Sequence, residues 1–128
     1  MKKRQLIIGE KRSGKSFLSR SISMAFSNPV FLPSWEVLNR NFKFHQLCSD
    51  TDLIIVDEVK KSELENVSSF FYAKYLNINK RNEKPFKIER PHIIIICEVL
   101  KQEINQSILN RFEVINTTYI DNIFTFNK

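Results

Sequence analysis

The stretch GEKRSGKS, residues 9–16, gathers the residue types that bind phosphate into one short loop. Gly9 and Gly14 are the only two glycines in the chain of 128 residues, although a soluble domain of this length carries about nine. Lys15 and Ser16 follow the second glycine directly. The stretch matches the pattern G-x-x-x-x-G-K-[S/T], in which inward-facing N–H groups and the lysine hold a triphosphate while the hydroxyl binds Mg²⁺.

The sequence on either side supports this interpretation. QLII before the loop predicts a short buried strand, and KSFLSRSISMAFS after it has apolar residues at helical spacing. The N-terminus of that helix would point at the phosphates. We therefore predict ATP and Mg²⁺ as cofactors, with a basic surface turn as the alternative. The predicted nucleotide-binding residues are Gly9, Glu10, Lys11, Arg12, Ser13, Gly14, Lys15, Ser16 and Phe17.

A second feature of the sequence is the acidic pair Asp57 and Glu58, which follows the aliphatic run LIIV at 53–56. Such a run is typical of a strand buried on both faces of a parallel sheet, and ligands bind at the carboxyl edge of these sheets. We predict that Asp57 binds Mg²⁺ together with Ser16, and that Glu58 orients and deprotonates the attacking water. Lys15 would contact the β- and γ-phosphates. Two solvated acids at a strand end are the alternative.

The rest of the chain alternates strand and helix patterns, which predicts one α/β domain over residues 1–128. Its architecture should be a three-layer αβα sandwich around a central, mostly parallel five-stranded sheet. YLNI and PFKI flank the polar tip NKRNEK and predict an inserted β-hairpin. The other predicted strands are VFLP, PHIIIIC and EVINTTYI. The other predicted helices cover 34–42 with Ser34 as N-cap, 62–76 with Ser62 and Glu65 as a capping box, and 101–112.

Charge and composition narrow the class of protein. The net charge is +6, and residues 74–90 hold six Lys or Arg against two Glu. Clustered cations on a hairpin tip can bind the phosphates of nucleic acid without reading its bases, and a solvated turn is the alternative.

No run of about 18 apolar residues indicates a membrane span. Cys48 and Cys97 lie far apart, which indicates free thiols in a reducing, intracellular compartment.

Two other nucleotide enzymes fit less well. A GTPase would need N-K-x-D and D-x-x-G, whereas NKRN at 79–82 lacks the Asp and DEVK at 57–60 lacks the Gly. A small P-loop kinase has the right length, but the arginines here are scattered and form no recognisable lid.

The order of these elements resembles that of the superfamily 3 helicases, a viral and plasmid branch of the AAA+ P-loop ATPases. The resemblance covers roughly residues 5–118 and rests on the glycine-rich loop, LIIVDE, the basic hairpin with ERP, HIIII and ILNRFEVI. Relatives of this kind are the helicase domains of replication initiator (Rep) proteins of small circular DNA viruses and those of positive-strand RNA viruses.

This resemblance implies an ATP-hydrolysing helicase or translocase that works as a homo-oligomeric ring, such as a hexamer, with an isolated monomer as the alternative. The hairpin residues Lys80, Arg81 and Lys84 would grip single-stranded nucleic acid, DNA in preference to RNA. Arg111 would act as an arginine finger in a neighbour's site, or else cap its own helix or pair with Glu113. For a viral protein the compartment would be the host cytoplasm or nucleus.

The chain departs from the family pattern in two places. The strand after the hairpin should end in a polar sensor, usually Asn, but Cys97 and Glu98 stand there, and a thiol is a weak donor. Only eight residues precede Gly9, where the family carries a further domain, so the chain could be a module, a fragment or a stand-alone protein. The leading alternative function is an AAA+ loader or regulatory switch that acts on a protein partner.

Overall fold

A computed structural model describes residues 3–10, 13–39, 44 and 46–117. The helices are α1 Lys15–Ser23, α2 Ser34–Val37, α3 Leu64–Ser69 and α4 Gln106–Leu109. The strands are β1 Arg4–Ile8, β2 Pro29–Pro33, β3 Leu53–Val59, β4 Tyr75–Ile78, β5 Phe86–Glu89, β6 His92–Cys97 and β7 Glu113–Asn116. None of the helices in this described part is long and apolar enough to cross a membrane.

Five strands form one sheet in the order β2-β3-β6-β1-β7. All four neighbouring pairs run parallel, so the predicted parallel α/β sheet is confirmed. The aliphatic runs of β1, β3 and β6 occupy the three inner positions, where both sheet faces are covered. Because the strands run parallel, the segments that follow β1, β3, β6 and β7 emerge at one carboxyl edge.

Helices pack on both faces of this sheet. On one face, Leu18, Ile22 and Phe26 from α1 and its C-terminal extension pack on a cluster that includes Ile7 and Ile55. The other face carries the larger core, to which α2, α3, α4 and the hairpin contribute. Alternate residues of β1 enter the two clusters because successive side chains of a strand point to opposite faces.

The predicted hairpin is present as the antiparallel pair β4-β5. Leu76, Ile78 and Ile88 are buried and belong to the larger core. The strand residues that alternate with them, Tyr75, Asn77, Lys87 and Glu89, are exposed. The hairpin is therefore anchored through one face.

The predicted helix over 62–76 is wrong at both ends. A 3₁₀ turn, Lys61–Glu63, precedes α3, and α3 ends at Ser69. Instead of the predicted pair of Ser62 and Glu65, the carboxylate of Glu63 accepts a hydrogen bond of 3.0 Å from the N–H of Lys60. The same carboxylate accepts a hydrogen bond from the hydroxyl of Ser34. This tertiary partner fixes Glu63, and through it the start of the helix.

Two further helix predictions need correction. Pro33, and not Ser34, is the N-cap of α2. The segment 101–112 is a 3₁₀ turn, Lys101–Glu103, followed by the short helix α4. Between them Ile104 is extended and buried. The side-chain oxygen of Asn105 accepts a hydrogen bond of 3.0 Å from the N–H of Ile108, so Asn105 is the N-cap of α4.

Candidate functional site

The glycine loop, which runs from Gly9 to Gly14 between β1 and α1, needs both of its glycines. Gly14 is left-handed, with φ 92° and ψ 13°, immediately before α1, a conformation that glycine adopts without steric cost. Gly9 has φ 154°, and a Cβ there would collide with the side-chain oxygens of Ser13 and Thr117. One glycine is thus required by backbone conformation and the other mainly by space.

Thr117, the first residue after β7, fixes the glycine loop from a distant part of the chain. Its hydroxyl donates to the carbonyl of Ile8 at 2.8 Å and lies 2.5 Å from the hydroxyl of Ser13. Thr117 is fully buried, and Ser13 is nearly so. Thr117 is not among the residues predicted from the sequence. Its only signal was a hydroxyl residue within the predicted strand EVINTTYI, whereas in the structure the strand ends at Asn116, one residue earlier.

Lys15, the first residue of α1, turns its side chain back into the loop. Its Nζ donates to the carbonyl of Gly9 at 3.1 Å and to that of Glu10 at 2.6 Å. A phosphate oxygen carries negative charge and therefore attracts an ammonium more strongly than a neutral carbonyl does. The ammonium is therefore available to an incoming anion. Lys11 and Arg12, predicted for the same loop, lie outside the described residues.

The acidic pair lies on an irregular end of β3. Val56 pairs with Ile95 and Val59 pairs with Cys97, so β3 holds one extra residue in a bulge. Glu58 has φ 59°, a left-handed conformation that costs a non-glycine residue on the order of 1–3 kcal/mol. The N–H of Glu58 donates to the Asp57 carboxylate at 2.7 Å. Such strain is concentrated at functional sites.

These elements surround a cleft of about 440 Å³ at the carboxyl edge of the sheet. Its charged lining residues are Lys15, Asp57, Glu58, Lys60 and Glu98, and Ser16 contributes its hydroxyl group. A second cleft of about 340 Å³ is lined by Ser13, Gly14, Lys15, Ser16 and Phe17. The two clefts share Lys15 and Ser16, so the structure brings these two predicted residues together with the predicted acids of β3.

The lining of the larger cleft fits Mg²⁺. No group of three or more His, Cys, Asp or Glu able to hold a metal occurs in the described part of the chain. Mg²⁺ in nucleotide sites requires fewer protein ligands, because it keeps several waters and takes phosphate oxygens besides one or two carboxylates. Ser16 and Asp57, which both line this cleft, match that modest ligand set.

The sensor position at the end of β6 combines an unreactive thiol with an exposed acid. Cys97 is buried and pairs with Ile8 in the sheet. Burial raises the pKa of its thiol to about 12, an effect that nearby Lys15 partly opposes. Glu98 is exposed and lines the cleft beside Lys15 and Asp57. The acid at this position therefore faces the same space as the predicted metal ligand.

The predicted nucleic-acid residues lie at the hairpin tip, between β4 and β5. Arg81 and Lys84 are exposed. Lys80 is half-buried, and its Nζ lies 3.5 Å from the sulfur of Cys48. Two of the three predicted cations are thus presented to solvent, and the third contacts the protein.

Arg111 lies at the amino edge of the sheet, away from its own glycine loop. It precedes β7, whose first residue Glu113 pairs with Gln5 near the start of β1, whereas the loop follows the end of β1. Its guanidinium donates to the carbonyl of Ser107 at 3.1 Å and stacks 4.4 Å from the ring centre of Tyr72. Arg111 thus caps α4, as one alternative predicted, and could reach a glycine loop only on another molecule.

The fold and the site define an α/β protein with a parallel five-stranded sheet and a polar cleft at its carboxyl edge, an architecture compatible with P-loop proteins. No family model matches the chain, and neither does any curated protein. Among solved structures, the apo A form of the NrS-1 C-terminal region is similar, with a TM-score of 0.63 and 18% identity over 90% of this chain.

A second apo A-form structure of that region, residues 305–718, gives a TM-score of 0.57 and 20% identity over 88% of this chain. In both comparisons the chain spans 28% of the length of the matched NrS-1 chain. At this identity the likeness shows a shared fold.

Proposed function

We propose that this chain is a Mg²⁺-dependent ATPase domain of the superfamily 3, AAA+ type, and that it drives movement of a replication (Rep-type) protein along single-stranded nucleic acid. The observation that carries the proposal is the cleft that Lys15 and Ser16 share with Asp57 and Glu58. An ammonium, a hydroxyl and two carboxylates in one cleft are the groups needed to bind a metal nucleotide and activate water.

In this proposal, separate residues bind the nucleotide, activate water and bind nucleic acid. The backbone of the glycine loop and Lys15 bind the phosphates. Ser16 and Asp57 would hold the Mg²⁺, which would neutralise the charge that develops on the phosphates. Glu58 accepts a proton from the attacking water. The hairpin cations Lys80, Arg81 and Lys84 bind the phosphates of the nucleic-acid strand.

The test is Mg²⁺-dependent ATP hydrolysis with and without a saturating single-stranded oligonucleotide. We expect hydrolysis that the oligonucleotide stimulates. Lys15→Ala should abolish ATP binding measured by calorimetry, because the loop loses its only side-chain ammonium among the described residues. Glu58→Gln should keep binding and lower turnover by about 10²-fold or more, the usual contribution of a general base.

Two outcomes would contradict this proposal. Turnover that the oligonucleotide leaves unchanged would argue against a translocase, and normal hydrolysis by Glu58→Gln would remove Glu58 as the base. Ser69→Ala, on the exposed surface of α3, is a matched control that should leave binding and turnover unchanged, since the hydroxyl of Ser69 donates to the carbonyl of Asn66 in its own helix.

A second function, an ATP-dependent loader or regulatory switch, is favoured by the sensor position. The buried Cys97, whose pKa is raised to about 12, offers no strong donor to a phosphate or its water. Hydrolysis should then be slow and the bound nucleotide long-lived. Robust strand separation by the purified chain would exclude this function, whereas nucleotide-dependent binding of a protein partner without strand separation would support it.

A further inference from the structure

The β4-β5 hairpin has an outward side that no element in the described part of the chain covers. Residues that pair directly across it are Tyr75 with Glu89 and Asn77 with Lys87. All four are exposed, while Leu76 and Ile88 between them point into the core. We call these four outward residues the outer face of the hairpin. Because one side of the hairpin is fixed by burial, the outer face has a defined orientation.

Tyr75 is an unusual side chain for such a surface. Its side chain is 52% exposed, and the ammonium of the neighbouring Lys74 lies 5.6 Å from its ring centre. An exposed ring provides a platform on which any base can stack, and an adjacent cation can contact a phosphate of the same strand. Tyr75 can thus contact the base of a nucleotide, and Lys74 can contact its phosphate.

The charge around the outer face indicates the class of partner. Residues 74–90 carry six Lys or Arg against two Glu. Four of the six cations are exposed: Lys74, Arg81, Lys84 and Lys87. Lys87 extends this charge from the tip along β5, on the same side as Tyr75. A basic surface with an exposed aromatic ring is complementary to a single strand, whose phosphates and unpaired bases are both accessible.

We propose that the outer face of the hairpin binds single-stranded nucleic acid, with a base stacked on Tyr75 and phosphates contacted by Lys74 and Lys87. The proposal rests on the proposed function and extends its contact surface from the tip cations to the body of the hairpin. It also assigns a different kind of interaction to each part: the tip contacts phosphate, and Tyr75 contacts a base.

The experiment compares two fluorescent probes of equal length by anisotropy: an oligothymidylate and an abasic oligomer that keeps only the sugar–phosphate chain. Tyr75→Ala should weaken oligothymidylate binding by about 5- to 150-fold, the range for loss of one stacked base. Binding of the abasic oligomer should not change. Tyr75→Phe should bind both probes as the parent does, because it keeps the ring.

Two further variants separate stacking from charge and from general surface effects. Lys87→Ala should weaken both probes and reduce the slope of log affinity against log salt by about 1, whereas Tyr75→Ala should leave that slope unchanged. Trp35→Ala is the matched control: Trp35 on α2 is also an exposed aromatic, 65% exposed, but lies outside the hairpin. It should bind both probes normally.

The outcomes distinguish this inference from the function on which it rests. If Tyr75→Ala binds oligothymidylate like the parent, or weakens both probes equally, the stacking role is wrong and the proposed function stands. If the unmodified chain binds neither probe, both fall. A change in oligomeric state with unaltered affinity would show that the outer face is a contact between protein chains, and would also overturn the inference.

Discussion

At the scale of single residues, the hydroxyl of Thr117 is the link between the glycine loop and the last strand of the sheet. It joins the carbonyl of Ile8 to the hydroxyl of Ser13 in a fully buried position. The backbone amides of the loop can be arranged for an anion only if the loop keeps one conformation, and this contact holds both of its ends.

We predict that Thr117→Val lowers nucleotide affinity by about tenfold. The methyl group keeps the shape of the side chain but removes the hydrogen bonds, and a lost buried hydrogen bond costs about 1–3 kcal/mol. Thr117→Ser restores the hydroxyl and should recover most of the affinity. Calorimetry with ATP and Mg²⁺ gives the measurement.

A control separates this positioning role from stability alone. Thr51→Val removes another largely buried hydroxyl, which accepts a hydrogen bond of 2.8 Å from the N–H of Cys48. It should lower the melting temperature but leave nucleotide affinity unchanged. Equal affinities for Thr117→Val and the parent would show that the link does not organise the loop.

At the scale of elements, a polar chain crosses three strands at the amino edge of the sheet. The ring Nε2 of His92 on β6 lies 2.7 Å from the side-chain oxygen of Gln5 on β1. The amide nitrogen of Gln5 donates to Glu113 on β7 at 2.9 Å. Burial, and then the positive charge of Lys3, lower the pKa of His92 below its usual 6.5, although Glu113 opposes them.

The lowered pKa of His92 predicts a loss of stability in acid. The unfolded chain takes up the proton more readily than the folded one, so the contribution of His92 is complete above 6.5 and disappears as the pH falls through its folded pKa. Urea unfolding at points between about pH 5 and pH 8 measures this. His92→Gln should flatten the decline over that range, and a decline that keeps its size in the variant would contradict the assignment.

At the scale of the whole molecule, the position of Arg111 predicts that a complete site needs two chains. Within one chain the guanidinium lies at the amino edge and the cleft at the carboxyl edge of the same sheet. If Arg111 acts on a neighbour, the ATPase rate per chain should rise steeply with protein concentration. Arg111→Ala should lower that rate by about 10³-fold, as removal of an arginine finger does.

Mixing two inactive variants tests this arrangement directly. Lys15→Ala lacks a functional loop but carries Arg111, whereas Arg111→Ala carries a functional loop. Their mixture should regain hydrolysis if the arginine of one chain completes the cleft of another. If no activity returns, and specific activity is flat across concentrations, then Arg111 only caps α4 and stacks on Tyr72 within its own chain.

The features that depend on near neighbours in the chain could be predicted from the sequence. Two glycines five residues apart, with Lys15 directly after them, specified the loop, and the aliphatic runs of β1, β3 and β6 specified a parallel sheet, because strands covered on both faces must be apolar throughout. The parallel order in turn required the loop and Asp57 to meet at one edge.

The contacts between distant residues that hold the site in place could not be predicted from the sequence. Thr117 contacts Ser13, which is 104 residues away in the sequence, and Ser34 contacts Glu63, which is 29 residues away. A local sequence pattern therefore could not predict either contact. The bulge that turns Glu58 into a left-handed conformation arises from the pairing of β3 with β6. Likewise, Ile104 breaks its predicted helix because it is buried in the core. Burial and long-range pairing override local preference wherever their free energy exceeds the small differences in helix propensity.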